Sequence, residues 1–212
     1  MDYHENLRLL AARTRFAVVA IWGAIATAGL VIIGSLLEAF GIADSMYGTA
    51  PLDLVVMFSY LAFMLAAVIS IVCVGMWIYR AHANLWDGGT QGLEFTPGWA
   101  VGWYFIPFAS LFKPYQAMQE LFTASRLEGS PSVGTAPFAV RKWWACWLGG
   151  NVLANIGSKI SDSANPDTIM TGGILSAVGL AIVVAAAVFL LQLIREVYAG
   201  QIGGATAAQV FA

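Results

Sequence analysis

The chain has 212 residues, 59% of them hydrophobic and only 10% charged, where a soluble domain carries about 25% charged residues. A net charge of −2 and a pI near 5.6 leave no basic excess for nucleic-acid binding, and a mean hydropathy of +0.76 points to an integral membrane protein. At about 20 residues per crossing, residues 1–212 read as one all-α domain of membrane-spanning helices joined by short connections.

In chain order, "MDYHENLRLLAARTRFAVV" places basic residues before a long apolar stretch that no small-residue cleavage site closes, so residues 16–37 read as an uncleaved first span. The turn formers of "GIADSMYGTAP" separate it from a second span, 54–79. The second span closes in "YRAHANLW", where Arg80 and Asn84, four residues apart, share a helix face and His82 points elsewhere. A cation here offsets the helix dipole, and Asn84 suits a cap of the final turn. Arg80 and His82 alternatively suit contact with a lipid phosphate, an anionic ligand or the elbow.

Next comes "TPGWAVGWYFIPFASLFKPYQAM". Residues 99–112 carry no charge but are too few to cross a bilayer. Charge counting places the segment. With four spans, Arg8, Arg13, Arg15, Arg80, Lys113, Arg126, Arg141, Lys142 and Arg195 share the cytoplasmic side with both termini, and only Lys159 lies outside. A fifth span around Pro107 would abolish that bias. Residues 97–112 therefore form a cytoplasm-side elbow, either re-entrant or lying in the interface. Trp99, Trp103, Tyr104 and Tyr115 are of the types that anchor at headgroup level, and Pro107 disfavours helix at Ile106 and bends the chain. From Lys113 and Pro114 an amphipathic surface helix, 114–126, follows.

The third span, 143–160, is weakly apolar because of Gly149, Gly150, Asn151, Asn155 and Gly157, and should face its neighbours. Asn151 and Asn155 share a face beside a stripe of Gly150, Ala154 and Ser158, which a stripe of Gly173, Ala177, Ala181 and Ala185 on the fourth span, 169–194, can match. Packing, with the Asn amides bonding across the contact, is one use of this face; a polar cavity holding a solute, quinone or ion is the other.

Catalytic and cofactor sets are missing from the pattern. Cys73 and Cys146 lie in apolar runs as buried thiols, and Cys73, Met76, His82 and Cys146 lack metal-ligand spacing. His4 and His82 are the only histidines, a poor pair for haem, and Glu38 and Glu120 have no evident acid/base partner. No metal, cofactor or enzymatic activity is expected.

"WIYRAHANL" followed by "PGWAVGWYFIPFASLFKPYQAMQELFTAS" and the late "QLIREVYAGQ" resembles, over residues 54–201, the bacterial DUF4328 family of four-span integral membrane proteins, a domain of unknown function. Arg80, His82, Asn84, Pro97, Gly98, Trp99, Trp103, Pro107, Pro114 and Tyr115 stand where the family's motif residues stand. Tyr104 replaces a more usual Trp, and Ser110 stands where Asn is common, so a role needing an amide there is not carried over. The resemblance implies the four-helix architecture and a bacterial inner membrane location, and brings no activity.

Without ionisable residues deep in the spans, the expected function is non-catalytic: an accessory or assembly subunit, or a scaffold, whose elbow contacts membrane lipids or partner subunits, either as a homo-oligomer or within a larger membrane complex. The alternative is a small oligomeric transporter or channel with the elbow as a re-entrant gate, and a membrane enzyme or redox subunit ranks third.

Overall fold

The computed structural model describes residues 3–126, 136–161 and 165–210. Six α-helices follow in order: α1 (Tyr3–Ala39), α2 (Pro51–Asp87), α3 (Pro97–Gly102), α4 (Lys113–Ala124), α5 (Ala136–Ser161) and α6 (Pro166–Val210). Two 3-10 turns, Trp103–Phe105 and Ala109–Leu111, lie between α3 and α4, and no strand occurs among the described residues. The side chain of His4 and residues 162–164 of the expected "SDSANPD" connection lie outside the described residues.

Among the described residues three helices, not four, are long and apolar enough to cross a membrane: Glu5–Ala39, Pro51–Asp87 and Asp167–Gly203. The helix expected as a third span, α5, has the length but not the composition, because its glycines, Asn151, Asn155 and Lys159 dilute the apolar residues. Each of these three helices extends beyond the span expected within it, 16–37, 54–79 and 169–194. In α2 only 11% of the most apolar window is buried, leaving Leu54, Val55, Phe58, Leu61, Leu65 and Val68 facing outward as a lipid-facing helix requires.

Helix ends follow local chemistry. Gly41 (φ 66°) closes α1, with Ile42 N–H on Leu37 O and Gly41 N–H on Glu38 O; Gly89 (φ 71°) closes α2 in the same way on Leu85 and Trp86. Both are Schellman ends, which need the positive φ that glycine adopts without strain. Asn84 is therefore not the cap expected of it, and α2 runs on to Asp87.

The chain divides into two compact units. One comprises Ala20–Ser70 and Ala145–Val188. Here α1 meets α2 closely at Gly34, where an added Cβ would lie 2.9 Å from Val56 Cγ1. Glu38 accepts hydrogen bonds from Tyr60 Oη (2.7 Å), Ser45 N (3.2 Å) and Ser45 Oγ, and Tyr60 Oη also pairs with Ser35 Oγ at 2.9 Å. Asp53, in the first turn of α2, accepts from Asp44 N and Ala50 N, both at 2.9 Å, and so ties the connecting loop to the helix start.

In the same unit α5 and α6 run antiparallel with backbones almost touching. A Cβ on Gly150 would lie 2.8 Å from Gly179 O, and one on Gly157 would lie 2.7 Å from Gly172 O. The expected small-residue contact exists, but in a different register. Gly150, Ala154, Gly157 and Ser161 meet Gly172, Ser176, Gly179 and Val183, whereas Ser158 is exposed and Gly173 faces Ala39 of α1. The amides do not cross the contact: Asn151 Nδ2 donates to Trp147 O (2.7 Å) and Asn155 Nδ2 to Asn151 O (2.8 Å), each back onto its own helix.

The other unit comprises Met1–Val19, Ile71–Trp144 and Phe189–Ala212. Its core contains Leu10, Trp77, His82, Met118, Leu121, Phe122, Val140, Ile194 and Val197, all nearly inaccessible. The elbow and most of the sequence-predicted contact residues belong to it.

Candidate functional site: the aromatic elbow and its recess

Arg80, Asn84 and Asp87 follow one another on a face of α2 at spacings of four and three. Arg80 Nε donates to Asn84 Oδ1 (2.7 Å), and Arg80 Nη2 pairs with Asp87 Oδ2 at 3.1 Å. Asn6 Nδ2 donates to the same Asp87 oxygen at 3.2 Å. Asn84 Nδ2 in turn donates to Gln201 Oε1 (3.2 Å), and Gln201 Nε2 donates to Ala81 O and Ser125 Oγ, both at 3.0 Å. These bonds draw the ends of α1, α2, α4 and α6 into one polar collar. Arg80 thus makes internal bonds, and His82 is fully buried, its Nδ1 bonded to Ile78 O at 3.0 Å and its Nε2 without a hydrogen-bond partner.

The apolar stripe of α4, Pro114, Ala117, Met118, Leu121 and Phe122, is buried against the core of this unit, so the helix expected to lie on the membrane surface turns that face inward. Its Glu120 carboxylate accepts the backbone N–H groups of Glu94 and Phe95 at 2.6 and 3.2 Å, and Trp86 Nε1 donates to Phe95 O at 3.0 Å. The segment leading into the elbow is therefore pinned at three points.

From Thr96, α3 runs to Gly102 and the first 3-10 turn to Phe105. Ile106 is extended (φ −97°, ψ 117°), as the proline after it demands. Phe108 then has φ 63° and ψ −48°, with Ala109 N–H on Pro107 O at 2.7 Å: the rare, strained kind of γ-turn, centred on a bulky residue. Ser110, Leu111 and Phe112 amides bond back to Ile106, Phe108 and Ala109 carbonyls, and Trp144 Nε1 fastens the returning arm at Leu111 O (2.9 Å). Phe105 and Phe108 are 75% and 82% exposed, with Trp99, Leu111 and Phe112 about half exposed beside them.

Inside the bend lies a recess of about 190 Å³ lined by Glu94, Phe95, Thr96, Trp99, Trp103 and Lys113. The Trp99 and Trp103 rings lie 4.9 Å apart at 34°, and the Lys113 ammonium stands over the Phe95 and Trp103 rings at 5.4 and 5.8 Å. Trp99, Trp103 and Lys113, three of the contact candidates named from the sequence, thus line the same recess. Pro107 is at the apex, Pro114 is buried in the first turn of α4, and Tyr104 and Tyr115 are half-buried outside the recess lining. Asn151 and Asn155 belong to the other unit.

Sequence reasoning missed Glu94, Phe95, Asp87, Glu120 and Gln201. Asp87 carried a signal, seven residues beyond Arg80 on the same face. Glu120 carried none, because it bonds backbone amides, which have no sequence signature. Cys73 and Cys146 are free and half-buried, not fully buried as expected. No group of three His, Cys, Asp or Glu positioned to hold a metal ion occurs among the described residues.

An all-α chain with three helices apolar enough to cross a bilayer, and with large side chains exposed along them, belongs to the membrane helical class. It matches the family described as Domain of unknown function (DUF4328) over residues 43–199 and belongs to that family. The match contains the whole elbow, the recess and Arg80, Asn84 and Asp87, but stops short of Gln201. No curated protein and no solved structure matches the chain.

Proposed function

We propose that this protein is a non-catalytic integral membrane protein, an accessory subunit or scaffold, that seats the elbow in the cytoplasm-side interface of the bacterial inner membrane. The observation that carries this reading is Phe108. A γ-turn at positive φ costs a bulky residue about 1–3 kcal/mol that glycine avoids, yet the chain places there a phenylalanine that is 82% exposed. Such a residue makes physical sense where something outside the chain receives it, and lipid receives it at no cost in hydrogen bonds.

Depth supports the same reading. A Cβ on Gly75 would lie 3.6 Å from Val101 Cγ1. Gly75 is one turn inside the end of the apolar run at Tyr79, or about 6 Å at 1.5 Å per residue. In this reading the arms of the elbow reach just below headgroup level. A deep gate needs its irregular backbone buried in protein or lining a wet cavity, whereas the amides of residues 109–112 are bonded within the elbow itself. In this reading α5 is a fourth span, shielded by its close contact with α6, and both termini share the cytoplasmic side with every Lys and Arg except Lys159.

The test uses inverted membrane vesicles carrying the chain with Cys73→Ser and Cys146→Ser. Single cysteines at positions 91, 105, 108 and 112 are exposed to a membrane-impermeant maleimide. The expected pattern is labelling at 91 and protection at 105, 108 and 112. Apex labelling that a solute blocks would instead establish a permeation gate.

A further inference from the structure

The recess holds one charge of each sign. Lys113 and Glu94 both line it, and neither has an ion-pair partner within 4 Å among the described residues. Indole and phenyl faces supply most of the remaining wall, with the Thr96 side chain beside them. A purely anionic ligand would meet the Glu94 carboxylate, and a purely cationic one would compete with the Lys113 ammonium already standing over Phe95 and Trp103. A ligand carrying an anion and a cation a few ångströms apart satisfies both. At about 190 Å³ the space suits a small headgroup rather than a drug-sized molecule, whose clefts begin near about 300 Å³.

We propose that this recess binds the headgroup of a zwitterionic phospholipid, with the phosphate on Lys113 and the ammonium between the Glu94 carboxylate and the Trp99 ring. The proposal rests on the elbow's seating in the membrane interface and adds a lipid preference to it. Lipid is the source because the recess opens beside the exposed Trp99, in the arm that carries Val101 against Gly75 just inside the apolar run. Tryptophan pairs at this level serve as generic anchors elsewhere; here the added pair of unmatched charges makes the contact selective. The two charges set the selectivity in opposite senses. Removing Glu94 favours anionic headgroups, and removing Lys113 weakens retention of any phosphate.

The experiment reconstitutes the full chain in bilayers of equal parts phosphatidylethanolamine and phosphatidylglycerol, then identifies retained lipid by native mass spectrometry after gentle detergent release. The wild-type chain is expected to retain phosphatidylethanolamine in preference. Glu94→Gln should lower that preference about fivefold, the scale of one partly exposed charge contact. Lys113→Gln should lose both lipids, with Lys113→Arg restoring them, which separates a charge effect from misfolding. Equal retention of the two lipids by the wild-type chain, or a Glu94→Gln ratio that does not move, overturns the proposal. Displacement by micromolar soluble phosphoethanolamine would assign the recess to the free ester and overturn the lipid source. A cysteine at 108 that remains protected in the same samples keeps failure of the recess distinct from failure of the elbow's seating.

Discussion

Replacing Gly157 by alanine separates packing from helix propensity. In an open helix position, alanine in place of glycine stabilises by about 1 kcal/mol, and Gly149, with nothing within 4 Å of an added Cβ, is such a position. At Gly157 the same Cβ would lie 2.7 Å from Gly172 O and 2.6 Å from Ser176 Oγ, closer than real Cβ contacts, and the carbonyl cannot rotate away. Forcing the two backbones apart by several tenths of an ångström along the contact costs about 3 kcal/mol, the upper end for overpacking, because backbone must move. Net of propensity, Gly157→Ala should destabilise by about 2 kcal/mol while Gly149→Ala is neutral or stabilising. Gly150→Ala, with a Cβ 2.8 Å from Gly179 O, should resemble Gly157→Ala, and the double variant should fall short of additivity because both open one interface. Reversible unfolding of the purified chain in mixed micelles, followed by far-UV circular dichroism, reads the difference. Equal stability of Gly149→Ala and Gly157→Ala would refute the close approach of α5 and α6.

Three further outcomes follow from particular contacts. Phe108→Gly relieves the positive-φ strain and should raise folded stability by about 1–2 kcal/mol in micelle unfolding, while weakening the protection of a cysteine at 105 in vesicles. Glu120→Ala frees two backbone amides and should make the segment 88–96 several-fold more sensitive to protease, with Glu120→Gln in between; equal cleavage in all three chains would dismiss the pinning role. Gln201→Ala unpairs Asn84 and Ser125 and should lower stability by about 1–3 kcal/mol, whereas Gln192→Ala, at an exposed site, should leave it unchanged.

Apolar runs made the long helices legible, and Pro107 and Pro114 fixed where the elbow bends and where α4 starts. Register was harder to read. A strict four-residue row such as Gly150, Ala154 and Ser158 drifts about 40° per step around a helix of 3.6 residues per turn, so the contact instead follows Gly150, Ala154, Gly157 and Ser161, with one step of three. Asn151 and Asn155 looked like cross-helix glue because an amide in lipid must be bonded, but a carbonyl one turn back satisfies it equally well. The recess itself was half legible. Trp99, Trp103 and Lys113 share the motif, but Phe95 and Glu94 are brought to them by Glu120 and Trp86 across a loop that no periodicity marks.

The seating of the elbow is tested most directly by the depth of its apex. A nitroxide at position 108 of the chain in lipid bilayers, compared with one at 91, reports depth through the ratio of its collisions with oxygen and with a water-soluble nickel chelate. The elbow's seating predicts an apex about 5–10 Å below the headgroup phosphates, inaccessible to the chelate, with position 91 in water. A label at 108 that collides freely with the chelate, or one at the bilayer midplane, would contradict it.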